Sequence, residues 1–368
     1  MKFVANGLDM NDAITTVAKA LPVRDLVPIL ECVKITAEGD TVTLYATDKD
    51  LAIEKKIKAN IGVEGSIIVP GKVLVEYIRN IADENDIVFA VEDNNKLVIN
   101  SSTSQCTIQC MDIDEYPQKD KIKKEEYFLT TEKNLKEVIS KVIFSVATDD
   151  TRPILKGVFV EAKDYTLTAV ATDGFRFAKC KKPLEEKCDG VSAIIPARSL
   201  NELQKMLSNE DDYVKVYVEK NFIFVNLPNT TFSTTLITNS QYVNYENLIP
   251  KEFSSTVIAD KQVFEKALST AAIMTKGDKY NLVSFEIEEY SMKIKSVSEI
   301  GTVEENIAIL LKGMDTKCSY NLKYIMDCLK NIDSEAVKLE FTTHSNCVIT
   351  MNGSDETIYF ILPVRIYR

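Results

Sequence analysis

Asp48, Asp173 and Glu299 stand 125 and 126 residues apart, each directly after a hydroxyl residue (Thr47, Thr172, Ser298). Carboxylates at a recurring place invite an acid/base reading, one carboxyl giving a proton and another taking it. Quasi-equivalent positions fit a structural turn better, with the carboxylate accepting backbone N–H bonds. The rest of the catalytic vocabulary is thin. His344 is the single histidine, so a paired-imidazole metal site is excluded and a Ser-His-Asp triad hangs on one turn residue. No GxxxxGK[ST] is present and no GxGxxG follows a strand-like run, which leaves nucleotide cradling without support. Asp149-Asp150 reads as a solvated loop. The eight cysteines (Cys32, Cys106, Cys110, Cys180, Cys188, Cys318, Cys328, Cys347) form no CxxC pair and have no neighbouring histidine. They read as reduced, largely buried thiols. The expectation is a protein with no catalytic centre, no metal and no cofactor.

Turns at such a spacing need a repeated unit to hold them. A chain of 368 residues suits two or three domains. Each copy opens with an amphipathic helix: Asn11 to Leu21, about Glu132 to Phe144, and the run carrying Val263, Phe264, Ala267, Leu268 and Ala271. Alternating strands follow, Val42 to Ala46, Thr166 to Ala171 and Ser291 to Val297 among them. A second helix comes at the same period, over Lys72 to Ile81, Arg198 to Leu207 and Lys323 to Ile332. Pro70 and Pro196 lead into the first two and Asn321 into the third; proline costs no hydrogen bond there and asparagine caps. Short strands joined by tight turns predict antiparallel sheets. The fold class is therefore α+β with three repeated domains, 1–122, 123–250 and 251–368.

The net charge of −11 argues against loose adhesion to nucleic acid or anionic lipid. The N-terminus lacks a signal-like apolar run and no stretch is long enough to cross a bilayer, which predicts a cytoplasmic protein without a membrane partner. Two surfaces stand out. The helices carry Lys19, Lys72, Arg79, Lys133, Lys136, Lys141, Arg198, Lys205, Lys261, Lys266, Lys323 and Lys330, with Arg24 in the loop after the first helix. These make either a basic lining on one side of a sheet or ordinary helix solvation, since Glu76, Glu132, Glu137, Glu202 and Asp327 share the same helices. The C-terminal stretch Phe360 to Arg368 stays apolar, either as a last strand with a short overhang or as one wall of a peptide groove.

The threefold repeat, Thr151-Arg152-Pro153-Ile154-Leu155-Lys156-Gly157, Ala171-Thr172-Asp173-Gly174-Phe175-Arg176-Phe177, Ile194-Ile195-Pro196, Tyr245 with Leu248-Ile249-Pro250, and Leu362-Pro363-Val364-Arg365 together resemble the beta subunit of bacterial DNA polymerase III, the replicative sliding clamp. The resemblance spans the whole chain. It implies clamp domains with two inner helices on antiparallel sheets, and a head-to-tail homodimer closed into a ring around double-stranded DNA without sequence-specific contact. The function implied is processivity in DNA replication, with no enzymatic activity and a nucleoid association during replication. A repeat-built enzyme or a scaffold that never meets DNA are the alternatives.

By the same resemblance, a cleft for short partner peptides of the Gln-Leu-x-Leu-Phe type uses Arg152, Leu155, Thr172, Gly174, Phe175, Arg176, Phe177, Val243, Asn247, Tyr280, Asn321, Tyr324, Leu362, Pro363, Val364 and Arg365. Arg152, Arg176 and Arg365 are expected to hold polar ends of the peptide. The replicative polymerase, clamp loader and repair factors are the implied users. Phe175 stands where many members have His, Phe177 where Leu is usual and Asn247 where a basic residue is frequent, which implies a narrower peptide preference. The implied dimer contact sets Cys106 and Ile108 on an edge strand against Ile273 and Met274, with Glu299, Glu304 and Glu305 near Lys72 and Arg79.

Overall fold

The computed structural model describes residues 1–22, 27–92, 95–112, 115–118, 122, 127–238, 241–275 and 281–364. Arg24, Tyr280 and Arg365 lie outside the described residues. Two compact units make up the chain, Met1–Glu132 with Asn201–Leu236, and Lys133–Leu200 with Ile237–Arg368.

In the first unit, α1 (Gly7–Val17) follows the strand Lys2–Ala5, and α2 (Gly71–Asn80) follows Gly65–Pro70. A five-stranded sheet runs in the order Asn60–Val63, Lys2–Ala5, Ile87–Glu92, Lys96–Asn100, Gln105–Gln109. An eight-stranded sheet begins with Tyr127–Thr131, Tyr213–Val218, Phe222–Leu227 and Thr230–Thr235. It continues through Leu51–Lys58, Thr41–Thr47, Cys32–Glu38 and Gly65–Pro70. The ladder between Thr230–Thr235 and Leu51–Lys58 is antiparallel and sets Phe232 opposite Ile53, both buried.

Two short helices bridge the units in sequence, α3 (Glu132–Ser140) and α4 (Ala197–Gln204). The second unit adds α5 (Lys261–Thr275) and α6 (Leu322–Leu329). Its ten-stranded sheet runs Gly157–Thr172, Arg176–Pro196, Thr357–Ile361, Cys347–Met351, Ala336–Phe341, Ser255–Asp260, Gly301–Gly313, Ser291–Ser298, Leu282–Glu288, Thr316–Asn321. Alternation along these strands buries one face: Val257 and Ala259, Val337, Leu339 and Phe341, Met292 and Ile294. Against that face, α5 turns Phe264, Ala267, Leu268 and Ala271 inward at helical spacing.

The repeat is visible as a strand, a helix and then antiparallel strands, three times over. Helix boundaries differ from the sequence expectation. The first helix starts at Gly7 rather than Asn11 because Asn6 caps it, its side chain accepting from the Leu8 and Asp9 amides. It passes into a 3-10 turn at Ala18–Ala20. The helix expected to reach Phe144 ends at Ser140, and Ile143–Ser145 forms a separate 3-10 turn. Asn321 caps α6 as expected, accepting from the Lys323 amide at 3.0 Å. All eight cysteines are free thiols, with Cys106 and Cys188 half-buried and the others buried.

Candidate partner-peptide cleft

In the second unit, the long strands Gly157–Thr172 and Arg176–Pro196 meet at a tight turn, 173–175. Thr172 Oγ1 donates to the Arg176 carbonyl at 2.6 Å and accepts from the Gly174 amide at 3.0 Å. Asp173 Oδ1 accepts from the Phe175 and Arg176 amides at 2.9 and 3.0 Å. The first repeat does the same: Thr47 Oγ1 accepts from Lys49, and Asp48 Oδ1 from Asp50 and Leu51. Both carboxylates are turn-formers. The third copy breaks the pattern: Ser298 donates to Met274 Sδ, and among the described residues Glu299 accepts no such amide bonds. Gly174 sits at φ +91, and a Cβ there would fall 2.4 Å from Arg152 Nη2. Glycine is thus demanded by conformation, and a side chain there would also displace the Arg152 guanidinium, whose Nη2 donates to the Asp173 carbonyl at 3.4 Å.

Arg176 differs from the expectation of a cation that grips the peptide. Only 6% exposed, it donates from Nε to Asp173 at 3.1 Å, from Nη1 to Asp327 on α6 at 2.9 Å, and from Nη2 to the Phe144 carbonyl at 2.9 Å. Its guanidinium carbon lies 4.3 Å from the Tyr324 ring centroid and 5.3 Å from that of Phe144. Burial raises the Tyr324 hydroxyl pKa; the Asp173 and Asp327 charges raise it further, against the opposing pull of Arg176.

Two of the expected wall residues lie beneath the surface. Leu155 is buried, and Phe177 stacks on Phe360 with centroids 5.1 Å apart, the pair packed against Val348, Ile249, Phe253 and Ile358. What reaches the surface is Phe175 (60% exposed), Leu362 and Val243, with Asn247 exposed as well. The tail is tied in place at alternate residues: the Leu362 amide donates to the Phe175 carbonyl at 2.9 Å and the Val364 amide to the Ser319 carbonyl at 2.8 Å. Val243 and Asn247 flank Tyr245, which lies under Lys179 Nζ at 4.9 Å from the ring centroid. Beside the tail, a cavity of about 370 Å³ is lined by Pro363, Val364, Ser319, Lys317, Glu286 and His344, among others. Sequence reasoning missed Asp327 and Phe144 as parts of the site. Phe360 was legible as an apolar strand position, whereas no local pattern marks the pairing of Asp327 with Arg176, 151 residues away.

The helix cations divide. Lys141 is committed to Asp333 and to the Asn331 carbonyl, and Lys261 to the Ile332 carbonyl and Glu265, so neither is a free surface charge. Lys72 pairs with Glu31 and Lys205 with Glu202. Lys19 is half-buried, and burial lowers its pKa, against the Glu202 and Asp12 carboxylates that raise it. Arg79, Lys133, Arg198, Lys266, Lys323 and Lys330 are exposed and Lys136 partly so.

Gln105–Gln109 is an outer strand of its sheet, with Cys106 half-buried and Ile108 buried in its own unit. Ile273 and Met274 belong to the last turn of α5, not to a strand edge. One open edge in their unit, beside the end of α5, is the first half of Gly301–Gly313, bonded there on one side only, to Ser291–Ser298. Met274 Sδ lies 3.8 Å from where a Gly301 Cβ would sit, so the end of α5 backs that edge, with Ile273 53% exposed.

Fold and site together define a repeat-built α+β binding protein in which one copy carries a specialised turn. Family models for the DNA polymerase III beta subunit match in series, the N-terminal domain over residues 1–120, the central domain over 130–242 and the C-terminal domain over 246–365. A beta sliding clamp of Halalkalibacterium halodurans is 32% identical over 96% of this chain and 97% of its own. One of Staphylococcus aureus is 29% identical over 97% and 96%. Among solved structures, the DNA polymerase sliding clamp of Bacillus subtilis superimposes with a TM-score of 0.96 at 27% identity, over 100% of both chains. The DNA polymerase III beta subunit of Thermotoga maritima gives 0.93 at 26%, again over both full chains. The chain belongs to the bacterial DNA polymerase III beta subunit family, the beta sliding clamps.

Proposed function

We propose that this protein is a DNA sliding clamp: a homodimeric ring that encircles duplex DNA and tethers the replicative polymerase, with no reaction of its own. Full-length membership of the beta sliding clamp family carries the reading. Three repeats per protomer, divided near residues 122 and 250, build a ring from two chains joined head to tail. The natural joint pairs the outer strand Gln105–Gln109 of one protomer with the open half of Gly301–Gly313 of the other, satisfying both edges. Cys106 then lies near Ile273 and Met274 of the other chain.

A topological link needs little affinity. A weakly basic lining gives loose phosphate contacts, and such contacts carry no sequence information, so the ring slides. Lys136, Lys266, Lys323, Lys330 and Arg79 are the cations best placed to serve, whereas Lys141 and Lys261 hold the protein together. The surface around Phe175, Leu362, Val243 and Tyr324 takes a short apolar peptide from the polymerase, clamp loader or repair factors, its aromatic and aliphatic area supplying the anchor. Action on DNA places the protein in the cytoplasm, at the nucleoid.

The deciding experiment loads the protein onto nicked circular DNA with a clamp loader and then linearises the circle. The dimer is expected to stay on the closed circle and leave from free ends. Equal retention on linear DNA overturns the topological reading.

A further inference from the structure

We infer that Arg176 and Asp327 form a latch that holds the 173–175 turn against α6, so that both are positioning residues for the partner-peptide cleft; this rests on the cleft reading above. A guanidinium offers five N–H donors in a planar fork and two flat faces. Here the fork is spent in three directions, on Asp173 of its own turn, on Asp327 of α6 and on the Phe144 carbonyl. Tyr324 and Phe144 lie against its faces. At 6% exposure Arg176 has little left to offer a ligand.

The groups it fixes are the exposed ones. Asp173, held by Nε, orders the Phe175 amide, and Phe175 in turn accepts the Leu362 amide through its carbonyl. One buried side chain thus joins the turn, α6, the segment after α3 and the C-terminal tail. One repeat earlier, the corresponding positions hold no such pair. Leu51 stands 125 residues before Arg176, and Glu202, 125 before Asp327, pairs with Lys205 just past the end of its helix. The latch belongs to the copy whose turn reads Gly174-Phe175, which is where a cleft has to be shaped.

The test is a double-mutant cycle read by anisotropy of a fluorescein-labelled Gln-Leu-Ser-Leu-Phe peptide on the full-length dimer. Asp327→Asn, which keeps size and one acceptor, and Arg176→Ala are each expected to weaken binding by about tenfold, and the double variant by no more than the larger single effect. Arg176→Lys should not rescue, because an ammonium cannot span three fixed acceptors. Amide exchange at Phe175 should accelerate in both single variants at a temperature where each remains folded by circular dichroism. If Arg176→Ala still weakens binding tenfold in the Asp327→Asn background, Arg176 touches the peptide and the latch is wrong. If the unmodified protein does not bind the peptide, the cleft reading fails instead. Exchange at Phe175 then decides the latch alone, an unchanged rate overturning it.

Discussion

Replacing Gly174 with alanine separates the conformational demand of the turn from its role in recognition. Gly174 is at φ +91 and Gly353 at φ +87, so alanine pays a comparable backbone cost at both, on the order of 1–2 kcal/mol. The surroundings differ. At Gly353 nothing lies within 4 Å of a new Cβ, whereas at Gly174 it meets Arg152 Nη2 at 2.4 Å. That atom ends a flexible side chain, so Arg152 swings aside and gives up only its long bond to the Asp173 carbonyl. The expected stability losses in urea, followed by circular dichroism, therefore agree to within about 0.5 kcal/mol. Peptide affinity should diverge: about tenfold weaker for Gly174→Ala with Arg152 displaced, unchanged for Gly353→Ala. A Gly174→Ala variant several kcal/mol worse than Gly353→Ala would mean that the backbone, not Arg152, yields. One with normal peptide affinity would mean that Arg152 has no part in the cleft.

Phe177→Ala removes half of the stacked pair with Phe360 and should cost about 3–4 kcal/mol in denaturant unfolding, as a buried aromatic truncation does; a loss under about 1 kcal/mol contradicts the packing described. Lys141→Ala removes one of two donors from the Asn331 carbonyl, which keeps the Tyr359 hydroxyl, and the ion pair of the exposed Asp333, and should lower stability by about 0.5–1.5 kcal/mol. Lys136→Ala should change stability by less than about 0.5 kcal/mol yet flatten the salt dependence of DNA retention by about one ion. The reverse assignment would show that the lining has been misplaced. Burial pushes Cys32 and Cys110 up to about 11 and Cys318 to about 12, from an ordinary value of 9.0. Folded chains then hold protons that unfolded chains release first, so stability is full below pH 9 and falls as pH rises through 11. Thermal midpoints across that range should drop, and a flat profile would place these thiols in contact with water.

Much of this was readable in the chain because it is locally encoded. The Thr-Asp turns announced themselves by residue type and period, and Asn321 by its place before an apolar helix. Boundaries slipped where a cap overrode periodicity: Asn6 starts α1 a turn early, since a side-chain acceptor for orphan amides outweighs the apolar spacing that begins further on. The opening strand Lys2–Ala5 escaped notice because it is too short for alternation to stand out, and Tyr127–Thr131 and Ser255–Asp260 because each runs straight into α3 or α5 with no turn residue to mark the change. Within the site, the sequence pointed to Arg176 and Phe177 but not to the depth at which they lie. Burial depends on Asp327, Phe144 and Phe360, far off in sequence, and a residue list carries no measure of that.

The sheets disregard the repeats. Thr230–Thr235 of the second repeat zips onto Leu51–Lys58 of the first, and Arg176–Pro196 of the second onto Thr357–Ile361 of the third. The stretches of chain between the matched domains, after residues 120 and 242, are therefore not what fastens one repeat to the next. A protease cut between the central and C-terminal matched domains would leave the fragments clasped by the ladder at Arg176–Cys180 and Thr357–Ile361. Wherever such a chain is shuffled or split, the seam that has to be preserved is a pair of strand edges rather than a stretch of backbone.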